Sequence, residues 1–347
     1  MTTKLDEAYE ILRDTGPEYG PMGLSNHAPM AVEALAAVGR ADAILPWVEA
    51  YARRLGPPPQ PHAALQDADW PRGLGDPERY ADWVVLFDRQ LRDAAWPTVV
   101  DAWAARLAPG MAGAALHGLL RAAHAVRAVA ARDTPLRRHE LAQGLAYWAA
   151  TFHKLPGDPG GTGTLRPADA LRAVTMLPDE QRPEFGLITT GLAQLESFAP
   201  FRRVAGLIDV TRRAPSDVLS DLTETFAGAY LSNASPLNLI ALIHMLTGPS
   251  AVRLFLPHVK TDTARSLVAH AWQAGCALFA VFATTVDAPR LAAAPPGAEE
   301  LVERALATED EHAIKFAEAC LREEAARPTP VFRAAAADVI QRLAAMR

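Results

Sequence analysis

The chain has 347 residues, half of them hydrophobic, which is enough to bury a sizeable core. Its formal net charge of -6 provides no basic face for nucleic acid. Two cysteines, Cys276 and Cys320, form no disulfide framework, and no apolar run is long enough to cross a bilayer. These features predict a cytoplasmic protein with neither nucleic-acid nor membrane partners.

Apolar residues recur at spacings of three and four along most of the chain, a period typical of amphipathic α-helices. Alternating runs of Val, Ile and Thr, which would predict strands, are missing from the sequence. Prolines such as Pro46, Pro97, Pro135 and Pro215 predict helix boundaries, often in the first turn of a helix. The sequence therefore predicts an all-α fold, a single large multi-helical domain over residues 1–347.

A glycine-rich segment, residues 155–165, interrupts the helical pattern. It follows a predicted helix rather than a strand and lacks the GK[ST] ending of a phosphate-binding loop. We interpret it as a surface loop or an active-site lid.

The first notable histidine stands in the stretch SNHAPMAVEAL, residues 25–35. Ser25 or Asn26 can cap a helix here, with Pro29 in its first turn, so His27 is held at the mouth of that helix. A fixed histidine of this kind is a candidate ligand. The alternative is a histidine that caps the helix or packs against it.

The stretch LHGLLRAAHAVR, residues 116–127, places three polar side chains on one helix face. His117, Arg121 and His124 stand at positions i, i+4 and i+7 between leucines and alanines. This pattern indicates a polar cavity. The alternative is a stripe that faces solvent.

Two further histidines occupy apolar helices. His244 is isolated among leucines and isoleucines, where a hydrogen-bonded core histidine is the competing interpretation. His312 precedes Lys315 by three residues, so the two share a helix face. Lys315 is one of four lysines among 34 basic residues. A buried lysine can bind a metal as the neutral amine, or after CO2 converts it to a carbamate, and arginine can do neither. The alternative is a surface lysine paired with a nearby carboxylate.

Four segments, residues 25–39, 116–127, 242–248 and 310–315, together resemble the questin oxidase-like family in their order and broad spacing. The resemblance implies an all-helical fold with a metal-binding central cavity. It also implies an oxidoreductase of secondary metabolism, a Baeyer–Villiger-type or ring-cleaving oxygenase of aromatic, quinoid polyketides. No flavin-binding G-x-G-x-x-G motif follows a strand in this sequence.

When the family's motifs are matched to this sequence, the resemblance implies one mononuclear non-heme iron(II). Lys315 would be one of its ligands, either unmodified or as a carbamate. The implied metal ligands are His27, His117, His244, His312 and Lys315. The implied partners are O2 and a small aromatic substrate, and the sequence leaves open whether NADPH is an external reductant. Arg121 and His124 are the candidates for catalysis, in substrate anchoring or proton transfer. Fungal members tend to have a second histidine at the position of Arg121, so the substrate pocket differs here.

Other interpretations remain open at this stage. A zinc- or manganese-dependent hydrolase would need carboxylate ligands, which are scarce near these histidines. A non-catalytic helical binding protein would have the histidines in its core. Tyr230, Trp148 and Trp272 either line a pocket or, as is commoner for aromatic residues on helices, belong to the core. The sequence is compatible with a homodimer but does not demand one.

Overall fold

The computed structural model describes residues 2–66, 68, 70–159, 163–182, 187–287 and 294–346. Within these ranges the only strands are Glu18–Tyr19 (β1) and Leu24–Ser25 (β2), which pair antiparallel. The prediction of an all-α fold is confirmed. The chain divides into two compact units. Unit 1 is Met1–His153 with Pro257–Val259, and unit 2 is Lys154–Leu256 with Lys260–Arg347. The prediction of one domain over 1–347 stays a prediction.

Unit 1 contains seven α-helices within its described residues: α1 (Lys4–Leu12), α2 (Ala28–Ala37), α3 (Ala41–Ala52), α4 (Tyr80–Asp93), α5 (Trp96–Leu107), α6 (His117–Ala131) and α7 (Pro135–Ala150). Glycines let α6 and α7 approach each other closely. A Cβ on Gly118 would lie 2.4 Å from Cα of Trp148, and one on Gly144 would lie 2.8 Å from Cα of Ala122. This contact fixes the face of α6 that bears the polar stripe.

Unit 2 contains eight α-helices within its described residues: α8 (Pro167–Arg172), α9 (Ile188–Ala193), α10 (Pro215–Asn233), α11 (Leu239–Ala251), α12 (Thr261–Phe282), α13 (Ala298–Ala307), α14 (Glu311–Ala326) and α15 (Pro330–Ala345). Its core includes Trp272, whose ring stacks on Phe226 and whose Nε1 donates to the carbonyl of Val204. Trp272, Tyr230 and, in unit 1, Trp148 are all fully buried, as the core interpretation predicts.

Short 3-10 turns connect these helices. They are Trp70–Gly73, Pro77–Arg79, Ala108–Gly110, Gly113–Leu116, Asp179–Gln181, Gln194–Glu196, Ala199–Gly206, Val252–Leu254 and Leu256–His258.

Proline marks helix starts less strictly than the sequence suggests. Pro97, Pro135 and Pro215 do lie in the first turns of α5, α7 and α10. Pro46, however, lies inside α3, so the boundary predicted there is wrong. Its ring removes one backbone donor, and the flanking turns of α3 continue because Ile44 and Val48 are buried in the core.

The glycine-rich segment 155–165 is described except for residues 160–162. On its first flank, Gln273 of α12 donates to the carbonyls of Pro156 and Gly157 at 3.1 and 3.2 Å. On its second flank, a Cβ on Gly163 would lie 2.2 Å from the carbonyl carbon of Leu207. Both described flanks are therefore packed against unit 2, and a role as a lid stays a prediction.

One stretch among the described residues, Leu239–His258, is long and apolar enough to cross a membrane by length and composition. In its most apolar window 83% of the residues are buried inside the protein. By length and composition alone, the expectation that no apolar run could cross a bilayer is therefore wrong for this stretch. Most of the stretch is α11, whose residues are largely buried.

Candidate functional site

The polar stripe of α6 is buried rather than solvent-facing. His117, Arg121 and His124 are each less than a tenth exposed. His117 is the first residue of α6, and its imidazole lies against that of His27, with ring centroids 4.5 Å apart and ring planes 52° apart. His27 precedes α2 and makes no capping hydrogen bond with its side chain. His27 thus occupies the N-cap position of α2 without a side-chain cap, and it forms a buried histidine pair with His117 in unit 1.

A strained turn leads into His117. Ala114, Ala115 and Leu116 have φ of 44°, 54° and 69°, a left-handed conformation that costs an L-residue about 1–2 kcal/mol each. The preceding Gly113 lies so close to the carbonyl of Thr151 that a Cβ would be 1.5 Å from its oxygen. This turn is thus packed tightly against the end of α7. Three residues in an unfavourable backbone conformation directly precede His117, a predicted metal ligand.

The turn also orients the imidazole of His117. Its Nδ1 lies 2.5 Å from the carbonyl oxygen of Ala114, which requires a proton on Nδ1. In the neutral ring the lone pair is then on Nε2. Metal-binding histidines are commonly oriented in this way, through a hydrogen bond from the other ring nitrogen.

Unit 2 holds a second pair. The ring centroids of His244 on α11 and His312 in the first turn of α14 are 5.7 Å apart. Nδ1 of His244 lies 2.7 Å from the carbonyl oxygen of Ile240, so Nε2 again has the lone pair. Nδ1 of His312 lies 3.3 Å from the carboxylate of Asp310.

Asp310 is the cap of α14 and also an anionic neighbour of His312. Its Oδ1 accepts the backbone N–H groups of His312 and Ala313. Burial alone would raise the pKa of this carboxyl, but the hydrogen bond and charge of His312 lower it to about 2. Asp310 is therefore an ionised group at neutral pH that orients His312, and a poor general base.

Lys315 is buried, only 4% exposed, so the surface-lysine alternative is wrong. Burial lowers its pKa from 10.5 to about 8, although the carboxylates of Glu311 and Asp310 partly oppose that shift. At neutral pH roughly a tenth of the side chain is then the neutral amine. This is the form that can bind a metal or react with CO2.

The geometry of each histidine pair fits metal ligation. Two imidazoles bound through Nε2 to one ion, at about 2.1 Å and at angles of 90–120°, have ring centroids roughly 4.5–5.6 Å apart. The observed separation of 4.5 Å in the first pair lies at the lower end of that range, and the separation of 5.7 Å in the second pair lies just above its upper end. A set of imidazoles and an amine suits transition metals rather than Mg²⁺ or Ca²⁺.

His270 shows what a single histidine does in this chain. Its Nδ1 also lies close to a backbone carbonyl, that of Ser266 at 2.8 Å, one turn earlier on α12. The hydrogen bond to a preceding carbonyl is therefore an ordinary way to accommodate a histidine on a helix. The pairing with a second imidazole is what sets His117 and His244 apart.

The two candidate catalytic residues belong to a buried ionic network in unit 1. Nε and Nη2 of Arg121 donate to Glu140 at 2.7 and 2.9 Å, and Nη2 also contacts Gln143. Nδ1 of His124 lies 2.6 Å from Glu33 of α2. Both residues are thus held by carboxylates, and His124 follows His117 by about two helical turns, roughly 10 Å along α6.

Sequence reasoning missed the carboxylates of this network. Glu33 and Glu140 are buried, and each forms a two-point ion pair with an arginine, Glu33 with Arg127 and Glu140 with Arg121. The apolar run 32–38 does contain one indication of this network, because a glutamate within it is expected to be buried. A buried carboxylate needs a partner, so Glu33 could have been predicted to pair with a cation. Glu311, the residue before His312, is a further carboxylate of this kind, and its charge acts on Lys315.

Comparison of the chain with protein-family models gives no match, and comparison with curated proteins gives none either.

Proposed function

We propose that this protein is a non-heme iron(II) oxygenase that acts on an aromatic or quinoid small molecule in secondary metabolism. The proposed ligands are His27, His117, His244, His312 and Lys315. The observation that carries the proposal is that the four histidines occur as two close pairs, in which all but the half-buried His312 are buried. Nδ1 of three of them is directed at an oxygen acceptor. The aromatic substrate follows from the family resemblance.

Within the proposal, bound iron(II) would supply the binding and activation of O2. The protein's own residues would hold the metal, exclude water and position the substrate. Burial of Lys315 provides a neutral amine, which can attack CO2 to form an N–C bond with release of one proton, leaving an anionic carbamate. Asp310 and the carbonyls of Ala114 and Ile240 would fix the orientation of the imidazoles.

Hydrolysis is the weaker candidate because most of the buried carboxylates are engaged by other groups, although the carboxylate of Glu311 lies within 4.8 Å of a ring nitrogen of His312. Asp310 has a pKa of about 2 and caps a helix. Glu33, Glu140 and Glu323 are bound to arginines, namely Arg127, Arg121 and Arg253. A carboxylate whose oxygens accept hydrogen bonds from an arginine is poorly placed to take a proton from water.

The test is metal content after anaerobic reconstitution with Fe(II), with and without bicarbonate, followed by O2 uptake with 1,8-dihydroxyanthraquinone, with and without NADPH. We expect one iron per chain in the wild type and at least a tenfold loss of affinity in His117→Ala and in His312→Ala. His270→Ala is the matched control, because that histidine makes the same type of hydrogen bond without a second imidazole.

Three results would contradict the proposal or its ligand set. Zinc or manganese at one ion per chain, with no O2 uptake, would favour the hydrolase. Absence of metal after reconstitution would leave the histidine pairs as core residues. A stoichiometry of two would show that each pair binds its own ion, and the five-ligand set would then be wrong. Weaker binding without bicarbonate in the wild type, but not in Lys315→Met, would identify the carbamate.

A further inference from the structure

The amide of Gln143, on α7, joins the buried guanidinium of Arg121 to a partly exposed histidine, His139. Its Oε1 accepts a hydrogen bond from Nη2 of Arg121 and a longer one, at 3.5 Å, from the hydroxyl of Tyr80. Its Nε2 lies 3.0 Å from the carbonyl oxygen of Arg13 and 2.9 Å from Nε2 of His139. These contacts, all within unit 1, use both hydrogens and both lone pairs of the amide.

The partners of Gln143 fix the orientation of its amide. A guanidinium only donates, so Oε1 must face Arg121, and a carbonyl only accepts, so Nε2 must face Arg13. The second hydrogen on this nitrogen therefore points at Nε2 of His139, which accepts it with a lone pair. Nδ1 of His139 lies 2.9 and 3.0 Å from the two carboxylate oxygens of Asp88 and donates to them. This arrangement suits the neutral imidazole with its proton on Nδ1.

His139 is placed to exchange a proton with solvent, because its side chain is 27% exposed. The hydrogen bond to Asp88 of α4 raises the pKa of the imidazole above its ordinary value of 6.5, and burial opposes that shift. The charge of Glu140, on α7 itself, raises this pKa further, and the charge of Arg13, at the end of α1, lowers it. Asp88 thus favours the charged ring, whereas the amide of Gln143 favours the neutral ring.

A second proton on His139 would place two donors face to face, because the amide nitrogen of Gln143 is 2.9 Å from Nε2 of the ring. Turning the amide by half a revolution would give the new N–H an acceptor. The same turn would bring the amide hydrogens against Nη2 of Arg121 and the amide oxygen against the carbonyl of Arg13. Both of those groups would then lose their hydrogen bonds. The amide therefore cannot serve the charged imidazole and the guanidinium at once.

We propose that Gln143 is a positioning residue for Arg121, and that the charge of His139 decides whether the amide holds the guanidinium. With the ring neutral, Arg121 is held by Gln143 and by its two hydrogen bonds to Glu140. With the ring charged, the bonds to Glu140 remain, and the guanidinium can turn towards another acceptor. Because Arg121 follows His117 by four residues on one face of α6, a proton taken up at the surface changes the surroundings of the first histidine pair.

This inference deepens the role of Arg121 as the candidate substrate anchor in the proposed function. The coupling itself needs neither metal nor O2. It can therefore hold where the proposed oxygenase activity fails, and it can fail where that activity is found.

The test is an NMR titration of the full chain, labelled with 15N and kept metal-free with a chelator, across pH 5–9. The ring nitrogens of His139 report its charge, and the Nε–H signal of Arg121 reports the hydrogen bonding of the guanidinium. The variants His139→Gln and Arg121→Lys identify these signals. We expect the Arg121 signal to shift with the same midpoint as His139, and to lose this pH dependence in His139→Gln. His62→Gln, at an exposed histidine of unit 1, is the matched control and should leave the Arg121 titration unchanged.

Gln143→Met provides a test by sign, because methionine matches the length of glutamine without its strong donor and acceptor. Loss of the amide that favours the neutral ring should raise the pKa of His139 by about 0.5–1, the effect of one hydrogen bond. A fall in that pKa would show that the amide oxygen faces His139, and it would overturn the proposal.

Three results on the other proteins would overturn it as well, whether or not Gln143→Met folds. They are a His139 ring that keeps one charge throughout the titration, an Arg121 signal that does not follow the ring, and an Arg121 titration that persists in His139→Gln.

Discussion

The two histidine pairs are held by different means. The pair of unit 1, His27 and His117, stands at the starts of two helices, and a left-handed turn of three residues leads into one of them. In the pair of unit 2, His244 lies in the middle of α11, and His312 follows a carboxylate cap. Asp310 caps the helix that bears His312 and Lys315.

This difference separates two ways of fixing a side chain. Backbone geometry fixes the first pair: its hydrogen-bond acceptor is a carbonyl, and the strain resides in φ and ψ. Charge contributes to fixing the second pair, because Asp310 is held ionised beside His312 while Lys315 is kept partly neutral by burial. The surroundings of the second pair should therefore respond to removal of a charge at Asp310 or Lys315, and those of the first pair to glycine substitution in its turn.

The largest expected effect is that of Lys315→Met on the metal-free protein. A lysine whose pKa is lowered on folding destabilises the folded state below that pKa, and the penalty disappears as pH rises from about 8 to 10.5. The lowering of the lysine pKa from 10.5 to about 8 corresponds to a penalty of about 3 kcal/mol in the free energy of unfolding. With a chelator present, Lys315→Met should therefore raise the free energy of unfolding by about this amount at pH 7, and by much less at pH 10.5.

Urea denaturation at pH 7, 8.5 and 10 measures this difference. Lys260→Met is the matched control, because Lys260 is exposed. The effect of this substitution on the free energy of unfolding should not depend on pH in the same way. A Lys315→Met variant that is less stable than the wild type at pH 7 would show that the buried ammonium is well compensated in the folded protein.

The next effect concerns Asp310→Asn. Asparagine caps a helix about as well as aspartate, so this change removes the charge and keeps the cap. A carboxyl whose pKa is lowered on folding stabilises the protein above its unfolded value of 3.8, and this contribution is lost as pH falls towards 2. We expect Asp310→Asn to cost about 1–2 kcal/mol at pH 6 and close to nothing at pH 2.

Thermal unfolding across pH 2–6 measures this, with Asp310→Ala as the companion variant that loses the cap as well. If Asp310→Asn unfolds at the wild-type temperature throughout that range, charge does not hold the second pair.

The sequence predicted the class of fold and the polar residues of the site better than it predicted their surroundings. Periodicity and the absence of strand patterns were enough for the all-α fold, and the spacing of His117, Arg121 and His124 predicted their common face. The carboxylates that bind Arg121 and His124, however, come from α7 and α2. Partners from other helices depend on packing, which local patterns do not contain. The left-handed turn before His117 was equally hidden, since two alanines and a leucine normally predict helix.

The smallest effect, and the sharpest test of backbone strain, is Ala114→Gly. Glycine adopts positive φ without a Cβ penalty, so this variant should raise the free energy of unfolding by about 0.5–1 kcal/mol. Ala130→Gly, at an exposed position of α6 with ordinary helical geometry, should lower it by about the same amount. Opposite signs in urea denaturation would establish that the turn before His117 stores strain. If both variants lose stability equally, the turn is relaxed, and the first pair is held by packing like any other core residue.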